Sequence, residues 1–215
     1  LIMEKTVMPT ETNLENYPSL QECRELFEKY KVPGTIKTHC EAVHKVATFV
    51  AEELAKNKLN DEFKINVQLI SSFSLLHDFM KAVVLERLDD APYFYTPTVE
   101  EREMHQQLRQ KFSGMSETKA AFLILNEKYP QFAALFLELD ELTRNPNAIT
   151  SNEARLVHYV DWRVLGNKIV PLQERMKYIY DRYKEWIIKN NLNWDWIVKD
   201  QEEYEHKLFN QLPFN

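Results

Sequence analysis

The sequence predicts an all-α fold, a single-domain helical bundle of roughly nine or ten helices. Three observations carry that expectation. Apolar residues recur at three- and four-residue intervals through most of the chain, which is the repeat of one helical face. Val and Ile fall at that spacing and do not alternate, so strand signals are poor. Glycine is scarce, with 3 in 215 residues. Tight β-turns and phosphate-cradling loops both lean on glycine, so its scarcity favours helices joined by short polar or proline-marked loops.

Residues 1–17 are polar and aperiodic and read as an N-terminal tail. Pro18 suits the first turn of a helix over about 18–31, with Leu20, Cys23, Leu26 and Phe27 as its stripe and Val32-Pro33-Gly34 as its end. A second helix, about 35–58, carries Ile36, Val43, Val46, Ala47, Val50 and Leu54 on one face. A third, about 65–78, carries Val67, Ile70, Phe73 and Leu76 and ends in His77-Asp78. Residues 89–97 break any helix, and Tyr93, Phe94 and Tyr95 read as packing residues with a second use as a cover that stacks on a base.

Thr98 followed by Glu101 forms a capping box for a helix over about 98–112. Ser116 caps the next, to about 129, and Pro130 opens another to about 144. Thr150 or Ser151 starts a helix expected to run through Asp161 to about 166. Pro171 opens a long helix to about 189, and the last spans about 193–212. The chain thus divides into a tail (1–17), a main domain (18–189) and a C-terminal helical extension packed on it (190–215). Trp186, Trp194 and Trp196 are expected as core or interface anchors, which leaves room for a homodimer contact.

A formal charge of -6 and a pI near 5.6 argue against a broad grip on nucleic acid. They leave open a small anionic substrate, because a metal ion and one or two cations reverse the field locally. No apolar run approaches the roughly 20 residues that span a bilayer, so no membrane partner is expected. No secretion signal is read at the start, and Cys23 and Cys40 lie in separate helices without CxxC spacing. They read as reduced thiols of a cytoplasmic protein.

Three helices place ionisable groups where the apolar face should continue. His39 lies three residues after Ile36 and four before Val43, and His77 lies four after Phe73. Asp161 lies four after Val157 and three before Val164. One inward histidine is commonly a hydrogen-bonded core residue, whereas an unpaired buried carboxylate is costly. Two imidazoles (His39, His77) and two carboxylates (Asp78, Asp161) on inward faces make a ligand set for one divalent ion. Mixed nitrogen and oxygen donors suit Mn, Fe, Co, Ni or Zn without selecting among them.

These residues resemble the H…HD…D signature of the HD-domain metal-dependent phosphohydrolases. The blocks are Ile36-x-x-His39-x-x-x-Val43-x-x-Val46-Ala47, Leu75-Leu76-His77-Asp78-Phe79-Met80-Lys81 and Val157-x-Tyr159-Val160-Asp161. The continuation Val164…Lys168-Ile169-Val170-Pro171-Leu172-Gln173-Glu174-Arg175 looks like the tail of the small HDIG-type members found in prokaryotes. The resemblance covers about residues 35–180. It implies an HD-type bundle with His39, His77, Asp78 and Asp161 as ligands of one metal ion. It also implies hydrolysis of a phosphate ester, commonly on a nucleotide, through a metal-bound water. Asp78 would help orient that water. Lys81, one turn on, would offset charge at phosphorus, with Arg163 and Arg175 as further substrate-binding candidates set against solvated surface cations.

Two departures stand out. Phe79-Met80 replaces the usual Ile-Gly, and Glu117 stands where two-metal members carry a histidine, so one metal is expected. Both departures keep a non-catalytic binding or regulatory module as the alternative. His44, His158 and His206 are expected to be structural.

Overall fold

The first helix shows how short-range chemistry sets the bundle's boundaries. Ser19 accepts from the Glu22 amide while its own amide donates to the Glu22 carboxylate at 2.8 Å, a closed capping box. Helix α1 (Leu20–Lys29) therefore starts behind that cap, and Pro18 sits ahead of it instead of in the first turn. Lys31 takes a left-handed φ of 43°, which stops the helix and turns the chain into α2 (Gly34–Lys56). The computed structural model describes residues 16–56, 64–89, 95–145, 148 and 150–213. Tyr93 and Phe94 lie outside them.

Helix α2 buries Ile36, Cys40, Val43, Ala47, Ala51 and Leu54, a stripe at three- and four-residue spacing. That stripe lies along α3 (Val67–Leu76), the innermost helix, whose residues from Ser72 to Leu76 are all buried. A helix buried all round must satisfy its polar side chains internally, and Ser74 does so by donating to the Ile70 carbonyl at 2.6 Å. Beyond α3 the chain tightens into a turn and a 3₁₀ segment (Lys81–Val83). The bulky Phe79 and Met80 of that turn point into the core, each 1% exposed. Phe79 packs edge-on against Tyr30 and Phe136, so the added bulk fills the interior.

Helices α4 (Val99–Lys111), α5 (Glu117–Leu125) and α6 (Pro130–Arg144) follow with the expected caps: Thr98 with Glu101, Ser116, and Pro130 at the first helical position. From α6, Phe132 and Phe136 meet Phe73 edge-to-face at 5.9 and 5.2 Å and complete an aromatic knot. Ser151 caps α7 (Asn152–Asp161), which passes α2, α3 and α6.

Helix α7 ends at Asp161, short of the expected 166. A two-stranded antiparallel hairpin follows, β1 (Val164–Leu165) with β2 (Lys168–Ile169). Gly166 adopts a φ of 63° at its turn, a conformation glycine takes without a Cβ penalty. The Val-Leu-Gly-Asn-Lys-Ile segment carries a hairpin signal, but it is too short to break the helical period of its surroundings. Helix α8 (Leu172–Lys189) bends at the non-helical Tyr183, and α9 (Trp194–Phe209) returns against α8 and α7. A small second cluster of Trp162, Leu172, Met176 and Ile197 joins them, with Trp194 stacked on Trp162 at 5.9 Å.

The described residues thus make a mostly helical domain with nine α-helices, and none is long and apolar enough to cross a membrane. Truncating Phe136→Ala removes the ring that three other Phe rings pack against. A loss of about 3–5 kcal/mol in urea-unfolding free energy is expected, and a loss below about 1 kcal/mol would show that the aromatic knot is not the keystone of the core.

Candidate metal centre

His39 projects from the second turn of α2, His77 caps the C-terminus of α3, and Asp161 is the last residue of α7. The three helices converge so that one ligand atom of each lies within 4.8 Å of the others. His39 Nε2 is 2.9 Å from Asp161 Oδ1, and His77 Nε2 is 3.7 Å from the same oxygen. The two imidazole rings stand 5.3 Å apart between centroids.

The backbone sets the tautomers. His39 Nδ1 lies 3.0 Å from the Gly166 carbonyl, and His77 Nδ1 lies 2.8 Å from the Ser74 carbonyl. A carbonyl oxygen only accepts, so each Nδ1 carries a proton. In the neutral rings both Nε2 atoms then present lone pairs toward an oxygen that is itself negative. Burial pushes the Asp161 carboxyl up, but the imidazoles of His39 and His77 beside it reverse this and hold it well below the usual carboxylate range. Two lone pairs facing a carboxylate call for a positive charge between them, either an extra proton or a metal ion. Backbone carbonyls that fix Nδ1–H are the usual support for imidazole ligands. His77 Nε2 is buried and finds no hydrogen-bond partner, as suits a donor atom reserved for an ion. His39, His77 and Asp161 therefore form a group that can hold a metal ion.

Asp78 departs from the expected quartet. Consecutive helical residues point about 100° apart, so with His77 aimed at Asp161 its neighbour faces round the helix end. The Asp78 carboxylate lies 3.7 Å from the Lys81 ammonium and stands outside the three-residue group, though it lines the same cleft. Lys81 is held chiefly by Glu117 at 2.6 Å, the residue that opens α5.

Of the two arginine candidates, only Arg175 reaches the site. Its guanidinium comes within 3.8 Å of Asp161, its side chain is largely buried, and its Nε has no partner among the described residues. Arg163 is turned away. It donates to the Val170 carbonyl, the Tyr159 hydroxyl and Glu205 at 2.5 Å, and so ties the hairpin to α9. A mid-chain cation whose fork finds three acceptors at once is a brace, and nothing in its spacing foretold that.

The centre opens into a cleft of about 750 Å³. Its wall includes the outward residues of α8 and the last turns of α6, and α4 contributes nothing among the described residues. Tyr95 lies elsewhere, accepting from the Gly34 amide at 2.8 Å and donating to Glu101, so it seals the start of α2. A Cβ at Gly34 would stand 3.0 Å from the Tyr95 ring, so a larger residue there would press on that ring. Trp186, expected as an anchor, is 38% exposed on the cleft wall. The α8 face had a legible signal, a run of residues at three- and four-residue spacing, which the apolar pattern alone did not single out.

His44 donates to the Ser71 carbonyl at 2.9 Å, and His206 lies on the outer face of α9 beside Asn210; both stay out of the group. His158 is buried against Trp162, with Thr143 and Gln201 at 3.4 Å. Compared with protein-family models, with curated proteins and with solved structures, the chain matches none of them.

Burial holds the His158 imidazole at about 3, against an ordinary 6.5. The folded protein refuses a proton that the unfolded chain accepts. The resulting stability is fully present above the unfolded value and is lost as pH falls toward the folded one. Acidification from about pH 7.5 to 5 is expected to cost about 2 kcal/mol through this group. Urea unfolding of His158→Gln at both pH values should show that much less acid sensitivity, and an unchanged loss would contradict the assignment.

Proposed function

We propose that the protein is a metal-dependent phosphohydrolase that cleaves a phosphate ester at the centre formed by His39, His77 and Asp161.

 The expected substrate is a small nucleotide-like phosphate ester. The observation that carries this reading is the convergence of two Nδ1-protonated imidazoles on one half-buried carboxylate, in a cleft that also holds Asp78, Lys81 and Arg175. The donor set fits one divalent ion of the Mn, Fe, Co, Ni or Zn class, which when bound would supply Lewis-acid polarisation of a phosphoryl oxygen.

The chain's own residues account for the rest. Arg175, largely buried beside Asp161, offers guanidinium donors to the phosphate oxygens. Lys81, anchored by Glu117, adds positive charge on the Asp78 side of the cleft. Asp78 is the carboxylate left uncommitted by the two histidines, so it orients the attacking water and takes its proton. The water oxygen bonds to phosphorus, the ester P–O bond breaks, and the leaving oxygen departs with a proton. The resemblance to the HD-domain phosphohydrolases supports the same assignment, with Asp78 placed to act beside the ion or to join it.

Metal analysis of protein purified without chelator is expected to find about one equivalent of a transition metal, lost in Asp161→Ala and in His77→Ala. With manganese added, Asp78→Ala should hydrolyse bis(p-nitrophenyl) phosphate or the monoester about 100-fold more slowly than the parent chain. A parent chain that takes up metal yet hydrolyses neither ester is a binding module instead, and one that takes up no metal loses the centre altogether.

A further inference from the structure

Helix α8 lays one face along the cleft. Arg175, Tyr178, Ile179, Arg182, Tyr183 and Trp186 all line it, and their three- and one-residue steps are those of a single helical stripe. Cations and rings alternate along this stripe. The Arg175 guanidinium lies over the Tyr178 ring at 5.3 Å, and Arg182 over Tyr183 at 5.9 Å. Arg144, reaching from α6, lies over Trp186 at 5.7 Å.

The charges on this face are of one sign. Both ionised lining residues of α8 are arginines, although the chain as a whole carries -6. The acids that line the cleft already face cations or imidazoles: Asp78 and Glu117 with Lys81, Asp140 with Arg144, and Asp161 with the two histidines. Tyr183 and Trp186 leave 39% and 38% of their surfaces open to solvent, where large rings more often pack away. At 1.5 Å per residue, Arg182 stands about 10 Å and Trp186 about 16 Å along the helix from Arg175. Positive charge thus begins beside Asp161, continues outward along α8, and ends at exposed aromatic faces.

We propose that this face of α8 is a binding track for a nucleoside polyphosphate, with the terminal phosphate at Arg175, the inner phosphates at Arg182 and the base against Tyr183 and Trp186. The inference rests on the reading of His39, His77 and Asp161 as a phosphate-handling metal centre. A nucleoside monophosphate, with its base only one sugar away from the phosphate, is too short to occupy both ends. Two or three linked phosphates supply the missing length and the negative charge that Arg182 faces. Stacking against a ring tolerates any base, so the track selects for phosphate chain length more than for base identity.

Calorimetric titration of the manganese-loaded full chain with ATP, AMP and orthophosphate tests this. ATP is expected to bind at least about tenfold more tightly than AMP. Trp186→Ala and Arg182→Gln should each weaken ATP about tenfold, with orthophosphate affinity as the internal reference. Equal affinities for AMP and ATP, or ATP binding unchanged in both variants, would overturn the track while leaving the metal centre standing. Failure of the chain to take up manganese or to bind any of the three ligands would sink both readings together.

Discussion

A carboxylate at the end of one helix, facing two imidazoles from two others, is the constraint around which the bundle is arranged. Asp161 is carried to the edge of the interior by the run that precedes it on α7, from Leu156 to Val160, every residue of which is buried. A charge placed there without compensation would be expensive. The compensation comes from elsewhere in the chain, His39 being 122 residues away in sequence and 2.9 Å away in space. The meeting of α2, α3 and α7 is therefore both a packing event and an electrostatic one. Neither alone explains why two histidines occupy the buried face.

Orientation matters as much as proximity. Both Nδ1 atoms are committed to backbone carbonyls, so the free nitrogens face inward together. One of those carbonyls belongs to Gly166, at the turn of the short hairpin that ends α7. Had α7 continued as a helix, that carbonyl would have been spent on the helical ladder. A four-residue ladder thus controls the tautomer of a residue on a distant helix. On the other side, Phe79 and Met80 direct their bulk into the core, so the turn after His77-Asp78 is held by packing where a smaller pair would rely on backbone geometry.

The cleft divides its charged residues by role. Arg163 and the Arg155–Asp200 pair brace α7 and its hairpin against α9 and leave the wall free of those cations. Arg175 and Arg182 remain on the cleft side because α8 runs along it. Two arginines twelve residues apart in sequence, 163 and 175, thus take opposite roles according to which helix they face.

Periodicity alone made much of the fold legible. The caps at Ser116, Ser151 and Pro130, the Thr98–Glu101 box and the stripes of α2 and α3 are local, so their chemistry is complete within a few residues. Inward-facing His39, His77 and Asp161 were legible for the same reason, since a polar residue on an apolar face declares itself by spacing. Tertiary structure alone decided the rest. It separated Asp78 from the histidine–carboxylate group, chose Arg175 over Arg163, ended α7 in a hairpin and brought Trp186 to the cleft wall. Each of these depends on which distant surface a side chain meets, and a one-dimensional repeat carries the direction of a residue from its own helix axis but not the identity of what stands opposite.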